Sequence, residues 1–366
     1  MPDLSRPLIV AVSGRALAQS AARGGYRPVV LDLFADRDTR AAAVACRRVS
    51  QPGALRFDPA AVLRSARALA PGSGLVYGSG FEGRAGLLQR LGRGRSVYGN
   101  APATVALVRD PARFFPLLRR LGIPYPVVSL LPPLRPSGWL IKGAGSAGGT
   151  RVQPAGSRPA SASDYYQRLV PGDSRSVTFL ADGRRALVLG FNQQWTASRP
   201  GRPYLYGGAV GGLRPAASLR RDVVDALDEL VRRTGLVGLN GLDFLVQDGQ
   251  WLVLELNPRP TATFELYDPD YPRGLFHAHL RACGGELPAR AAPRRASRAH
   301  AVVHATRTGS ARGLRLPRWC RDLPGAAARF APGDPVCTVH ASAPGVRAAL
   351  ALVRRRTRAI ERALAR

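Results

Sequence analysis

Apolar residues in this chain fall into short runs and helical stripes, and the runs alternate with glycine- and proline-rich breaks. Leu8-Ile9-Val10-Ala11-Val12 predicts a buried strand, Ser13-Gly14 a turn, and Arg15 to Arg23 a helix with small residues inward. Gly24-Gly25 ends that helix, and Pro28 to Leu33 is a second strand. Leu75-Val76-Tyr77 is a further strand, and Ser96 to Asn100 closes a doubly wound, Rossmann-like α/β unit. The first strand is not followed by the dinucleotide fingerprint GxGxxG, so NAD is not expected. The loop Gly78-Ser79-Gly80-Phe81-Glu82-Gly83 reads either as a substrate-contacting loop at a strand end or as a plain helix start.

Beyond residue 100 the pattern changes. Ala101 to Gly122 predicts two helices, the second opened by Asp110 at the N-cap and Pro111 at the first position. Trp139-Leu140-Ile141-Lys142 is a strand leading into Gly143-Ala144-Gly145-Ser146-Ala147-Gly148-Gly149-Thr150. Such a loop lets the backbone approach phosphates and point N–H groups at them. Ser176 to Leu180 and Ala186 to Gly190 flank Asp182-Gly183 as a hairpin. Tyr206 to Gly212 is a glycine-rich strand, and Arg221 to Arg233 carries Val223, Val224, Leu227 and Leu230 at helical spacing.

A second hairpin follows, Gly241 to Val246 and Gln250 to Asn257, turned by Asp248-Gly249. Period-two alternation places Glu255, Asn257 and Arg259 on one face of the extended segment, and pairing brings Asp243 to the same point. Asp243, Glu255 and Asn257 are oxygen ligands that leave room for phosphate oxygens, a set suited to Mg²⁺. The plainer readings are a strand-end carboxylate and an Arg259–Glu255 ion pair. The loop Pro260 to Glu265 could hold substrate hydroxyl or amine groups. His277 and His279 stand two apart and do not share a helix face, so zinc is not expected. Residues 288 to 299 read as a linker. The remainder predicts short strands, a Pro332-to-Pro335 turn and a final arginine-rich helix, with His304 and Cys337 as packing residues.

Size and composition narrow the class. A chain of 366 residues exceeds what one core usually serves, so two or three domains are expected. No run reaches the length of a membrane span, and Met1-Pro2-Asp3-Leu4-Ser5-Arg6 lacks a signal-peptide layout. Cysteines 46, 283, 320 and 337 show no metal spacing and read as reduced thiols of a cytoplasmic protein. A net charge of +30 would suit nucleic acid, but the basic residues are scattered and lack interleaved aromatics. Lys142 is the only lysine beside 53 arginines. A lone ammonium in an arginine chain marks a position where a compact charge is wanted.

The spacing of Asp243 to Glu-x-Asn-Pro-Arg (255–259), with the Lys142 strand and its glycine loop, resembles the ATP-grasp superfamily of carboxylate–amine ligases. Leu121-Gly122-Ile123-Pro124-Tyr125-Pro126 is similar to that family's entry into its core. The resemblance implies a Rossmann-like pre-ATP-grasp domain (1–100), a two-lobed ATP-grasp core (101–287), and a linker with a small C-terminal α+β domain (288–366). It implies ATP and Mg²⁺ as cofactors. Lys142, Gly143, Gly145, Ser146, Gly148 and Gly149 would hold the phosphates, and Leu169 and Val170 would form the adenine hinge. Asp243, Glu255 and Asn257 would hold the metal, and Arg259 would bind the transferred phosphoryl group and the substrate carboxylate. Where the family often carries an ATP-contacting lysine this chain has Pro111, and Arg109 or Arg113 is left to substitute. The implied partners are a small acidic carboxylate and an amine, with homodimers allowed. A narrower likeness is to ATP-grasp proteins of methylotroph one-carbon metabolism, which points to glutamate ligation in tetrahydromethanopterin or methanofuran-type cofactor synthesis. A non-catalytic nucleotide-binding regulator and a basic nucleic-acid-binding protein stay open as readings from other classes.

Overall fold

The computed structural model describes residues 4–51 and 54–365, so Met1, Pro2 and Asp3 of the N-terminal stretch lie outside the described residues. The first strands are apolar runs with no exposed face: β1 (Leu8–Val10), β2 (Val29–Asp32) and β4 (Leu75–Tyr77) are buried throughout. With β3 (Ala45–Arg48) and β5 (Val97–Tyr98) they form a parallel sheet in the order β3-β2-β1-β4-β5. Helices α1 (Arg15–Arg23), α2 (Arg37–Ala41), α3 (Pro59–Leu69) and α4 (Ala85–Gly92) connect the strands. The strand order reverses between β1 and β4, where the two following loops leave a crevice for ligands. Those loops carry Arg15 and Glu82, and both side chains are buried.

Helices α5 (Pro102–Arg109) and α6 (Pro111–Arg120) follow, with the Asp110 side chain accepting from Ala112 N at 2.9 Å as an N-cap should. A four-stranded antiparallel sheet comes next: β6 (Val128–Ser129), β7 (Trp139–Gly143), β8 (Val152–Pro154) and β9 (Asp164–Arg168), ordered β6-β9-β7-β8. Residues 169–172 then cross to β10 (Asp173–Asp182) in the largest sheet. That sheet continues with β11 (Ala186–Thr196), β12 (Tyr206–Leu213), β13 (Val237–Gln247) and β14 (Gln250–Asn257). Helix α7 (Ala217–Thr234) covers one face and ends on Gly235 in the left-handed conformation. Helix α8 (Gly274–Cys283) packs on the other face beside α1, joining the first domain to the core.

The C-terminal strands do not make a sheet of their own. β15 (Ser297–His304) pairs antiparallel with β12, and β19 (Pro335–Ala343) and β17 (Cys320–Arg321) extend the order to β14-β13-β10-β11-β12-β15-β19-β17. The strand starts at Ser297, inside the stretch read from composition as a linker. Ala299, Ala301 and Val303 face the core there, and Ala and Arg in place of β-branched residues had hidden the strand. β16 (Gly309–Ser310) and β18 (Arg329–Phe330) form a small ribbon, and α9 (Val346–Ala365) buries Ala349, Val353 and Ile360 against β15 and β19. All four cysteines are free thiols. No helix among the described residues is long and apolar enough to cross a membrane.

One buried charge cluster locks the first domain to the rest. Arg15 pairs with Glu265 and, at 3.1 Å, with Asp322, so three distant chain segments meet on one guanidinium. Asp36 sits nearby with its carboxyl lifted to about 8 by burial and then by the charges of Asp322, Asp32 and Asp38. A carboxyl raised in the folded state favours folding fully at low pH and loses that contribution as pH climbs toward its folded value. Asp36→Asn should therefore stabilise the chain by on the order of 1 kcal/mol or more at pH 8 and have little effect near pH 4. Thermal melts across that range would check it; an equal shift at both pH values would contradict it.

Candidate active site

The second hairpin forms because its turn chemistry and its alternation agree. Asp248 (φ 49°) and Gly249 (φ 80°) make the two-residue turn, and Gln247 faces Gln250 across it. The register places Asp243 directly opposite Glu255 and Gly241 opposite Asn257, with a bulge between Asp243 and Phe244. Asn257 Nδ2 donates to Asp243 Oδ2 at 3.0 Å and lies 3.4 Å from Glu255 Oε1. Gln194 on β11 donates to Asp243 Oδ1 at 3.0 Å. Both amides are acceptable neighbours of a carboxylate, but neither neutralises it.

Arg259 reaches away from Glu255. Its guanidinium pairs with Glu82 of the first domain and donates to Asn257 Oδ1 at 3.1 Å. The simple Arg259–Glu255 pair is thus not what the chain builds. Glu255 instead receives Arg109 from the end of α5, at 2.9 Å. The same guanidinium donates to the carbonyls of Ala144 (3.2 Å) and Ser146 (2.8 Å), so it ties the glycine loop to the hairpin. Arg113 is exposed on α6.

Glu82 is buried, whereas Asp243 and Glu255 are half-buried, with 30% of the Glu255 side chain exposed, and their titration follows from this partial withdrawal from water and from their neighbours. Asp243 is pushed up to about 7 by burial and then by the facing Glu255. Burial works in the same direction on Glu255, but Arg109 and then Lys142 outweigh it and hold Glu255 down to about 2. Glu82 is likewise held low against burial, chiefly by Arg259. Among the described residues no basic side chain ion-pairs with Asp243. A facing, half-buried pair of carboxylates with one partner unneutralised is a fit for a divalent cation, since like charges this close otherwise favour keeping one proton. Among the described residues no three or more His, Cys, Asp and Glu side chains are grouped so that they alone could hold a metal ion. A metal here would take the two carboxylates and complete its shell from phosphate and water, as Mg²⁺ commonly does; Asn257 turns its Nδ2 to the acids and its Oδ1 to Arg259, so its amide would have to turn over to add an oxygen ligand.

Lys142 lies on β7, buried, its Nζ donating to Gln167 Oε1 at 3.0 Å and lying 5.7 Å from the centre of the Tyr165 ring. Gln167 Nε2, also buried, has no partner. The loop after Lys142 is seated on both sides. Gly83 (φ 68°) lies so close to Gly145 that a Cβ there would stand 2.8 Å from its Cα. On the other side Tyr206 N donates to Gly148 O at 2.9 Å, and a Cβ on Gly149 (φ 70°) would fall 1.8 Å from Tyr204 O. The amides of Gly145, Ala147, Gly148 and Gly149 donate to no protein acceptor among the described residues. Ser146 Oγ donates to Gly143 O at 2.8 Å. Leu169 and Val170 lie in the crossing between the two antiparallel sheets, and Leu169 is 47% exposed.

Several supports were not legible as site residues. Asn100 donates to Pro258 O at 2.9 Å and to Asn240 Oδ1 at 2.8 Å, fixing the hairpin's exit just before Arg259. Gln194 could have been picked out by its period-two relation to Asn192 on β11. The loop Pro260 to Glu265 is not free for substrate: Thr261 and Thr263 bond each other, Thr263 bonds Thr178, and Glu265 belongs to Arg15. His279 accepts from Leu239 N, and His304 and Cys337 are buried.

Residues 110–263 match the family model described as "ATP-grasp domain". The chain carries an ATP-grasp domain. No curated protein sequence matches it. Among solved structures, the ATP-grasp core and its flanks resemble the biotin carboxylase domain of a single-chain bacterial carboxylase (19% identity, 93% of this chain and 85% of that one, TM-score 0.68). They also resemble the biotin carboxylase domain of Hydrogenobacter thermophilus 2-oxoglutarate carboxylase, solved with MgADP and bicarbonate (11%, 95% and 88%, TM-score 0.75). A third is carboxyaminoimidazole ribonucleotide synthase from Aspergillus clavatus, complexed with ATP (14%, 98% and 99%, TM-score 0.69). At these identities the likeness is one of fold, and it extends over nearly the whole chain rather than the ATP-grasp segment alone.

Gly149→Ala should keep the ATP-grasp loop from seating against Tyr204. Strain of ~1–3 kcal/mol at that position corresponds to nucleotide binding weakened about tenfold or more. Calorimetric titration of MgATP would check this, and unchanged affinity would show that the seated loop does not matter for binding.

Proposed function

We propose that the chain is an ATP-dependent carboxylate–amine ligase that makes an amide and releases ADP and phosphate. A carboxylate oxygen of the substrate attacks the γ-phosphorus as the bond to ADP breaks. The amine nitrogen then attacks the acyl carbon of the acyl phosphate, phosphate departs, and the amine's proton leaves to phosphate or solvent. The observation that carries the reading is the facing, half-buried Asp243–Glu255 pair, with Asp243 unneutralised, set beside the chain's only lysine.

Two anions must approach each other in such a reaction, so the protein's task is to position them and supply positive charge. Mg²⁺, held by Asp243, Glu255 and Asn257, would neutralise phosphate oxygens and hold the polyphosphate in line. Lys142 serves as the compact ammonium for the α/β-phosphates, and the free amides of the glycine loop cradle the chain's phosphate oxygens. Arg109 takes the structural part of the missing lysine by binding Glu255 and the loop carbonyls at once. Arg259, pre-oriented by Glu82 and Asn257, meets the transferred phosphoryl group and the substrate carboxylate. The crossing at Leu169 and Val170 supplies the adenine edge with backbone groups. Fixed placement of this kind can supply ~7–11 kcal/mol of the barrier, and no nucleophilic side chain is required.

The finer reading is glutamate joined to an acidic pterin- or furan-type one-carbon cofactor precursor. It rests on the sequence resemblance and on the cationic character of the site. The regulatory reading, by contrast, requires that no turnover occur at all.

The test is ADP release over a panel of acids and amines that includes glutamate. Turnover should need one acid and one amine together, and Glu255→Gln or Lys142→Ala should lower it by about 100-fold or more. Full activity in both variants would remove the ligase reading; no ADP from any pair would favour the regulator. Arg109→Lys keeps the charge but cannot span Glu255 and two carbonyls, so KM for ATP should rise about tenfold with a smaller change in kcat. Steady-state kinetics with saturating acid and amine separates the two.

A further inference from the structure

A second concave site lies far along the sheet from the hairpin, between α1, the turn after Glu265, and strands β17 and β19. We propose that this cavity binds a small polyanion carrying two or more phosphate or carboxylate groups. The inference stands apart from the ligase reading, because none of its residues belongs to the Asp243–Lys142 site.

The cavity measures about 460 Å³, within the range of roughly 300–1,000 Å³ usual for small-molecule sites. Charge bookkeeping on its wall leaves a clear surplus. The acids Glu265 and Asp268 are already paired with Arg15 and Arg23, and Arg298 is paired with Asp270. Arg318, Arg321 and Arg356 also line the cavity, and among the described residues none of them has a carboxylate partner. Three unneutralised guanidiniums on one concave wall differ from arginines scattered over a convex surface, where water solvates each separately. Arg321 gives Nη1 to the carbonyls of Arg318 and Cys320, and the remaining forked donors along this wall suit phosphate or carboxylate oxygens.

A further feature describes a built pocket. Arg356 lies 5.1 Å over the Trp319 ring and donates to the His340 carbonyl, so its plane is fixed rather than free to wander. The pocket thus offers a cation held in place and an aromatic floor.

The experiment titrates pyrophosphate and, separately, citrate into the full chain at fixed ionic strength, by calorimetry and tryptophan fluorescence. Both the unmodified protein and Lys142→Ala are used, the latter to suppress binding at the ATP-grasp site. Saturable binding of one of the two probes at one per chain is expected in Lys142→Ala, with a fluorescence change that disappears in Trp319→Phe. A preference for pyrophosphate assigns phosphate groups, and a preference for citrate assigns carboxylates. Arg318→Glu, at an exposed position whose side chain makes no hydrogen bond among the described residues, should weaken that binding by about tenfold or more. MgATP affinity of Arg318→Glu should match the unmodified protein, which shows that the fold is kept. Absence of binding, or non-saturating uptake equal in Arg318→Glu, would overturn the proposal and leave only general attraction to a +30 chain.

Discussion

Two half-buried carboxylates opposed across an antiparallel ladder repel each other, and holding both charged calls for cations to be brought to them. Much of the molecule is arranged around that constraint at Asp243 and Glu255. Arg109 comes from a helix before the core to satisfy one acid, Lys142 approaches from a different sheet, and Asn257 and Gln194 offer only amide dipoles to the other. What remains is a deficit of positive charge at a fixed point, with phosphate-sized backbone donors close by. Replacing the acids with apolar residues would relieve the deficit, so their presence is a cost to stability that the site's chemistry explains.

A second layer of charges keeps that point in place. Glu82 on the first domain's switch-point loop holds Arg259, and Asn100 at that domain's last strand holds the carbonyl of Pro258. Arg15, from the neighbouring loop, binds Glu265 just beyond the hairpin and Asp322 near the end of the chain. The Rossmann-like unit is therefore part of the site's frame. Each of these contacts joins residues more than 150 positions apart.

That separation explains what could be read from the sequence and what could not. The hairpin was legible because its turn, its alternation and its acids are local signals, and Lys142 stood out because no other lysine competes with it. The helix boundaries around Asp110-Pro111 and Thr234-Gly235 followed from capping chemistry in the same way. Glu82 was ambiguous, since a loop acid looks the same whether it caps a helix or meets an arginine from another domain. Arg109 could be named as a candidate but not placed, because its partner is 146 residues away. The strand at Ser297 was missed because its inward residues are mostly alanines, Ala301 lying opposite Gly208 and Ala299 opposite Val210 of β12. Composition suggested a linker; packing made it the middle of a sheet.

That continuous sheet has a mechanical consequence. Eight strands hydrogen-bonded from Gln250 to the C-terminal segment behave as one stiff plate, clamped on its faces by α7, α8 and α9. The backbone joins the β6–β9 sheet to its neighbours at residues 121–127 and 169–172, and the first of these also caps the plate's open edge where Val253 N donates to Pro124 O. Tyr165 and Val128 of that sheet share an apolar core with the plate, so any opening between the two must part that core as well as bend the two straps. Nucleotide entry would then be governed by the chemistry of those straps and of the Gly148–Tyr206 latch, with the acids never leaving their alignment.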